Sequence, residues 1–540
     1  MHSSRLVLLL ALVGVATAGH GAADAAAQSP QARAELAGLL TRAEATNYRE
    51  TSRYADVVAF LEEVTAADPR MHMATFGYSY EGRALPMVVM GTGLADPSPE
   101  SVMATGKLRV WVQGNIHGGE VEGKEVMQMM LRELARGAHS DWFDSVVLLV
   151  APIYNADGNE RVRLDNRGAQ HGPIGGTGQR PNALDFDLNR DHMKLDTPEA
   201  RSLVRMMTAY DPHLSVDLHT TNGTRHAYHL TYSPPLHPNT DAGIDRFLRD
   251  RLFPAVTGTI QQKHGWHFYH YGNAMHDPRT DQRAWMTFDH RPRFGTNYVG
   301  LRHRMAILSE AYSYATFEDR TKATYWFVEE ILDFAAGNAA EIRRIVDAAA
   351  ARELVGEELA VVAEPLRTPG MVDILMGDVA TERNPYTGRP MLRRLDVVRP
   401  ESMVEYIAFQ PLETERAPRA YLIPPEVDVA VERMEAHGIE TTTLTAPRSL
   451  RAEVFHVDST RASERPFQGH NERAVWGRWV EEERSVPAGT VVVRVDRPLG
   501  LLAFMLLEPR SDDGLVNWAL LDDFIQAGSP YPILRTFQEP

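Results

Sequence analysis

Short apolar runs recur along the first two thirds of the chain, each separated from the next by a stretch with helical spacing. Residues 108–112, 146–152, 214–218 and 305–308 are bounded runs of strand length. Residues 85–90 form another, after the turn Gly77-Tyr78-Ser79-Tyr80-Glu81-Gly82-Arg83. Between them, Val126, Met127, Met130, Leu131 and Leu134 fall three and four apart and predict a helix with one buried face. Thr197 is a cap, Pro198 suits a first helical position and Glu199 favours the positive end of the helix dipole. Residues 32–61 carry helical periodicity interrupted near Tyr48. This alternation predicts an α/β fold: a mixed, mainly parallel twisted sheet with helices on both faces.

Two helical stretches over residues 316–354, broken at Gly337-Asn338, close this first unit. Beyond residue 371 the pattern changes to strand-like runs, such as 491–495 and 501–507, turns rich in Pro and Gly, and one helix over 427–437. That is the signature of a β-rich α+β domain. The expected division is therefore a first domain over 28–355 and a second over 356–540.

Residues 1–27 stand apart. Arg5 precedes an apolar run, 6–16, and small-residue sites follow at 16–18 and 25–27, so a secretory signal cleaved after Ala18 or Ala27 is expected. The run is shorter than the ~20 residues of a spanning helix. The expected destination is periplasmic or extracellular, with no membrane span in the mature chain. A net charge of -16 repels phosphate backbones and anionic lipid surfaces, which argues against nucleic acid as a partner. There is no cysteine, so any metal must sit on His, Asp or Glu.

The densest chemistry follows the strand run 108–112. In Gln113-Gly114-Asn115-Ile116-His117-Gly118-Gly119-Glu120 an imidazole and a carboxylate flank two glycines, whose permitted backbone angles are expected to let both converge on one ion. His219, at the end of an alternating strand, supplies a third candidate ligand. Two histidines, one glutamate and a water make an open catalytic zinc site with one ion. Glu310 ends another strand; it reads either as a general base raised in pKa by partial burial or as a strand-end glutamate paired with an arginine. In Arg180-Pro181-Asn182-Ala183-Leu184-Asp185-Phe186-Asp187-Leu188-Asn189-Arg190-Asp191, the Asn189-Arg190 pair is built to grip a free carboxylate, and Arg180 to face a reacting carbonyl; ordinary ion pairs are the alternative.

Other features read as structural. The glycine-rich stretch 167–179 is an expected surface loop near the cleft, with His171 solvated. His264, His267, His270 and His276, among aromatic residues, read as a cleft wall or edge strand in preference to a second metal site. Asp217, two residues before His219, is either its partner or that of an unrelated cation.

The order of these motifs resembles that of the zinc carboxypeptidases similar to carboxypeptidase A: an HxxE pair, an R-x-N-x-x-G-x-D-L-N-R stretch, a later strand-end His and a late strand-end Glu. The chain has Asp185 where glycine is usual, and Asn155-Ala156-Asp157-Gly158 where the family has N-P-D-G. The resemblance implies zinc held by His117, Glu120 and His219, Glu310 as general base, Arg180 as oxyanion stabiliser, and Asn189 with Arg190 as carboxylate clamp. It also implies a mobile tyrosine over the substrate, for which Tyr298 is the candidate. The implied activity is removal of a C-terminal residue from a peptide with a free carboxylate. A zinc amidohydrolase of acylated amino acids or cell-wall peptides, and an inactive exported binding protein, are the alternatives.

Overall fold

The computed structural model describes residues 36–540 apart from positions 222 and 278. The expected secretory segment, 1–27, lies outside the described residues. Eight strands form one sheet in the order β1-β2-β4-β3-β5-β10-β6-β7. They are β1 (Met71–Tyr78), β2 (Ala84–Met90), β3 (Leu108–Gly114), β4 (Val146–Ala151), β5 (Leu214–Thr220), β6 (Leu230–Ser233), β7 (Phe268–His270) and β10 (Met305–Ala311). β8 (Asn273–His276) and β9 (Arg283–Met286) lie outside it.

The sheet is mixed and mainly parallel. Pairs β4–β3, β3–β5, β5–β10 and β6–β7 are parallel, and β1–β2, β2–β4 and β10–β6 are antiparallel. Every residue of β3, β4 and β5 is buried, so both faces of the central sheet are covered; β4 is apolar throughout, whereas β3 also buries Arg109 and Gln113 and the alternating β5 buries Ser215, Asp217 and His219. The helix Glu122–Ala135, which follows β3, buries its apolar stripe together with Glu122, Lys124 and Glu125. Thr197 caps the helix Pro198–Tyr210 by accepting from the Ala200 amide. The interruption near Tyr48 is real: Asn47 and Tyr48 take left-handed backbone angles between the helices Arg42–Ala45 and Tyr54–Ala67. The helices Phe317–Gly337 and Ala339–Ala350 follow β10.

β3, β5 and β10 are neighbours, and their carboxyl ends open on the same side of the sheet, where open α/β sheets place their sites. His219 and Glu310 are direct register partners across β5 and β10.

Past residue 355 the chain is rich in strands, but it is not tethered as a separate bead. The segment Arg399–Tyr406 pairs in parallel with β9, so one sheet contains strands from both sides of the expected boundary. One apolar cluster runs from Trp111 and Leu131 to Phe504 and Trp518. The run 501–507, expected as a strand, lies in the helix Gly500–Leu507, all of whose residues are buried. A run that is apolar on every side fits a helix threaded through a core as well as it fits a strand, because no periodicity distinguishes them.

Candidate metal centre

The turn after β3 is set by Asn115, in the left-handed region at φ 64°. Its side-chain amide donates to the carbonyls of His117 (3.3 Å) and Glu120 (3.1 Å), and the Glu120 amide donates to His117 O (2.9 Å). Gly118 and Gly119 are not in the left-handed region, contrary to the expected reason for them. Their role is close approach: a Cβ on Gly118 would lie 2.5 Å from the Gly158 carbonyl carbon and 2.7 Å from Gln179 O. The Asn155–Gly158 turn therefore packs directly under the ligand turn.

His117, Glu120 and His219 are buried and bring one ligand atom each within 4.8 Å of one another. His117 Nδ1 lies 3.0 Å from Glu120 Oε1, and His219 Nδ1 lies 3.0 Å from Glu120 Oε2. The outer ring nitrogens are engaged by carboxylates: His117 Nε2 donates to Asp187 Oδ1 (3.0 Å) and His219 Nε2 to Asp217 Oδ2 (2.8 Å). A carboxylate there fixes the tautomer and turns the Nδ1 lone pairs inward. His117 Nδ1 is buried without a hydrogen-bond partner. Two inward imidazole nitrogens, one of them orphaned, around a carboxylate fit a zinc ion.

Charge is organised around this core. Burial raises the Glu120 carboxyl, but His117 and Arg167 more than reverse it and hold it well below the ordinary carboxylate range. Burial opposes protonation of His219, yet Asp217 and Glu120 hold it well above the ordinary imidazole range, so metal entry would displace a proton. Burial pushes the Glu310 carboxyl up to about 8; His219 opposes this and the like charge of Glu120 adds to it. Glu310 Oε2 is buried with no hydrogen-bond partner. Glu310 therefore does not form the arginine pair that was its structural alternative: among the described residues no ion pair involves it.

A cavity of about 160 Å³ opens on this cluster, lined by His117, Glu120, His219, Glu310, Arg180, Asn189 and Arg190 together with Thr220, Thr221, Tyr271, Phe288, Phe294, Thr296 and Leu308. Arg180 donates through Nε (3.0 Å) and Nη2 (2.8 Å) to Asp187 Oδ2, which leaves Nη1 on the ligand side, 3.6 Å from Glu120 Oε1. Asn189 Oδ1 accepts from the Gly295 amide (2.8 Å). Arg190 lies 3.8 Å over the Phe294 ring, and its guanidinium donates to Asn189 O (2.7 Å). It is the informative cation: mostly buried, it pairs with no carboxylate among the described residues. Asp185, at the position where the family has glycine, takes φ 62°, which explains both the usual glycine and the tolerance of an aspartate.

Residues 57–291 match the zinc carboxypeptidase family model. The chain carries a zinc carboxypeptidase domain and is a metallopeptidase. It is 27% identical over 488 residues to carboxypeptidase 2 of Trichophyton tonsurans, covering 86% of this chain and 82% of that one. It is 25% identical over 521 residues to carboxypeptidase 2 of Trichophyton rubrum, covering 92% and 89%. Carboxypeptidase A from Helicoverpa armigera superposes with a TM-score of 0.41 at 17% identity, over 58% of this chain and 80% of that one.

Within this carboxypeptidase domain two sequence expectations are corrected. Tyr298 does not line the cleft. It is fully buried in the helix Gly295–Leu301, all of whose residues are buried, and its hydroxyl lies 2.8 Å from His437 Nδ1, which draws it toward the helix Asp428–Ala436 and away from the cleft. The tyrosine at the cleft is Tyr271, directly after β7, whose hydroxyl is raised by burial and by the negative charge of Glu310. The stretch 167–179 is also more than a surface loop. Arg167 Nη1 donates to Glu120 Oε1 (2.9 Å), and Nη2 donates to Thr220 O (3.0 Å) and Thr221 O (3.3 Å), tying a ligand to the strand end that carries the other. His171, expected to be solvated, is 2.9 Å from Glu382. Of the histidines of 264–276, His270 belongs to edge strand β7, His276 to β8, and His264 stacks on Trp326 at 3.6 Å; none of them lines the cleft cavity.

Proposed function

We propose that the protein is an exported metallocarboxypeptidase that hydrolyses the C-terminal peptide bond of peptides with a free α-carboxylate. The observation that carries this reading is Arg190, a desolvated guanidinium facing the cleft without a carboxylate partner. Such a group is costly unless its counter-ion is the ligand, and a planar fork takes a carboxylate through two parallel hydrogen bonds. Asn189, beside it, adds an amide donor.

His117, Glu120 and His219 would hold one zinc ion, which when bound supplies Lewis acidity toward a carbonyl and a water. Glu310, with a buried unpartnered oxygen and a carboxyl raised by burial, takes a proton from the attacking water and delivers it to the leaving amide nitrogen. The carbon–oxygen bond forms first, moving the carbonyl π electrons onto its oxygen; when they return, the carbon–nitrogen bond breaks and the amine leaves with the proton from Glu310. Arg180 Nη1 donates to the oxygen that gains charge, while its other nitrogens stay on Asp187. Phe288, Phe294 and Leu308 line the cleft, and its acidic groups are Glu120 and Glu310, both assigned to the reaction. Export is supported by the pattern of residues 1–27, and among the described residues no helix is long and apolar enough to cross a membrane.

The test is mass spectrometry of a peptide library, half with free and half with amidated C-termini, before and after chelation. Stepwise loss of terminal residues from free-acid peptides alone, abolished by chelator, is expected. Cleavage indifferent to amidation would remove the clamp, and cleavage of acylated amino acids with none of peptides would move the protein to the amidohydrolases.

A further inference from the structure

The long hairpin formed by Arg448–Ala462 and Arg473–Val486 carries its tip, residues 463–472, back to the catalytic half of the chain. There Gln468 Oε1 accepts from the backbone amide of Asp187 at 2.8 Å. Asp187 is the junction of the site. Its Oδ1 accepts from His117 Nε2 (3.0 Å) and from the Asn189 amide (2.9 Å), and its Oδ2 accepts from Arg180. One residue thus orients a metal ligand, the arginine at the reacting carbonyl and the start of the clamp. Whatever fixes Asp187 fixes all three.

The tip is shaped for this contact. Gln468 takes φ 50°, a conformation that glycine or asparagine adopts with less strain, and Gly469 follows at φ 85°. Strain of this kind is kept where the side chain has a task that an easier residue cannot perform. Asparagine would relax the backbone, but its amide is one methylene shorter. Neighbouring contacts hold the tip in place: His470 Nε2 lies 2.7 Å from Asp196 Oδ2, and Glu472 lies 2.8 Å from Arg293 Nη1. A Cβ at Gly469 would sit 3.2 Å from the Phe186 ring, one residue before Asp187.

We infer that Gln468 is a positioning residue of the metallopeptidase site, through which the C-terminal part of the chain holds Asp187 and with it His117, Arg180 and Asn189. The inference rests on the carboxypeptidase reading for the identity of that site. It gives the C-terminal β-rich region a role in the site, with no residue of it among those that line the cleft.

Gln468→Asn, Gln468→Ala and Gln468→Glu, each in the full chain, test it. Asparagine and alanine are expected to speed hydrogen exchange over residues 186–190 and to weaken zinc affinity, measured by chelator competition, about threefold to tenfold. That is less than the roughly 10–100-fold that follows loss of a ligand's own partner. Both kcat and KM for a free-acid peptide should shift. The Gln468→Asn melting temperature should not fall, since asparagine suits the backbone better. Glutamate keeps an acceptor oxygen and should keep exchange protection and zinc affinity. Wild-type zinc affinity and protection in Gln468→Asn would overturn the inference, as would loss of both in Gln468→Glu. Neither measurement needs a substrate, so a wild-type protein inactive on peptides would refute the proposed function and leave this result readable.

Discussion

Replacing Arg190 by methionine separates binding from stability, because the structure gives the two effects opposite signs. Burial depresses the guanidinium's pKa; Asp187 and Asp289 offset part of this, and Arg180 and Arg293 add repulsion. Without a carboxylate on it, the charge is a net burden on the folded state. Methionine keeps an apolar contact with Phe294, over which Arg190 lies at 3.8 Å, and removes the unpaired charge. The melting temperature of Arg190→Met should therefore hold or rise by about a degree, on the order of 1 kcal/mol for a chain of this length. Substrate binding moves the other way. Truncating one partner of a desolvated charge pair costs roughly 2–5 kcal/mol, and Asn189 and Arg180 retain part of the carboxylate's environment. A loss of about 2–4 kcal/mol corresponds to about 30- to 1000-fold in kcat/KM at 1.4 kcal/mol per decade. The assay is paired kinetics on one peptide with free and amidated C-termini, with thermal melts of both proteins. The ratio of the two rates should collapse toward one, mainly by loss on the free acid. A variant that keeps the ratio, or that melts several degrees lower while losing activity, would refute the reasoning, since the arginine would then be a structural cation.

Glu310→Gln should retain zinc, measured by metal analysis after gel filtration, and lose roughly 10²–10⁴-fold in kcat, the range for a general base; unchanged turnover would remove Glu310 from the mechanism. Tyr271→Phe should lower kcat/KM, whereas Tyr298→Phe should leave it within about twofold and cost about 1 kcal/mol by orphaning His437 Nδ1, read from urea melts and kinetics. Glu508, buried against Tyr421 and Arg535, is raised to about 7 by burial, against the attraction of Arg535. The folded state binds its proton more tightly than the unfolded chain, so its contribution is full below about 4.5 and is lost as pH rises to about 7, on the order of 3 kcal/mol. Glu508→Gln should flatten denaturant stability over that window, and a wild-type slope in the variant would show that another group titrates there.

What could be read from the sequence was whatever ends an apolar run, together with Arg180, Asn189 and Arg190, which their residue types and the order of their motif marked out. His117 and Glu120 follow β3, and His219 and Glu310 sit at the carboxyl ends of β5 and β10; strands that neighbour in a mainly parallel sheet deliver their ends to one place, so linear order sufficed to gather them. The residues that escaped are those whose work depends on a contact far along the chain. Arg167 lies 47 residues from the carboxylate it holds, in a loop with no period to constrain it. Gln468 lies 281 residues from Asp187 and on a different strand system. Tyr271 and Tyr298 look alike in sequence, each a tyrosine shortly before a strand, β8 for one and β10 for the other. Only the path of the chain turns one toward the cleft and the other toward His437. The glycines of the HxxE turn show the same limit from the other side. Their identity was legible, but its reason was not, because the atoms that exclude a side chain at Gly118 belong to the turns at Gly158 and Gln179. Local pattern thus locates groups that a strand carries, whereas the groups that hold those carriers in register come from loops and from the C-terminal hairpin. Substitutions there should alter metal affinity and clamp geometry while leaving every residue of the motif in place.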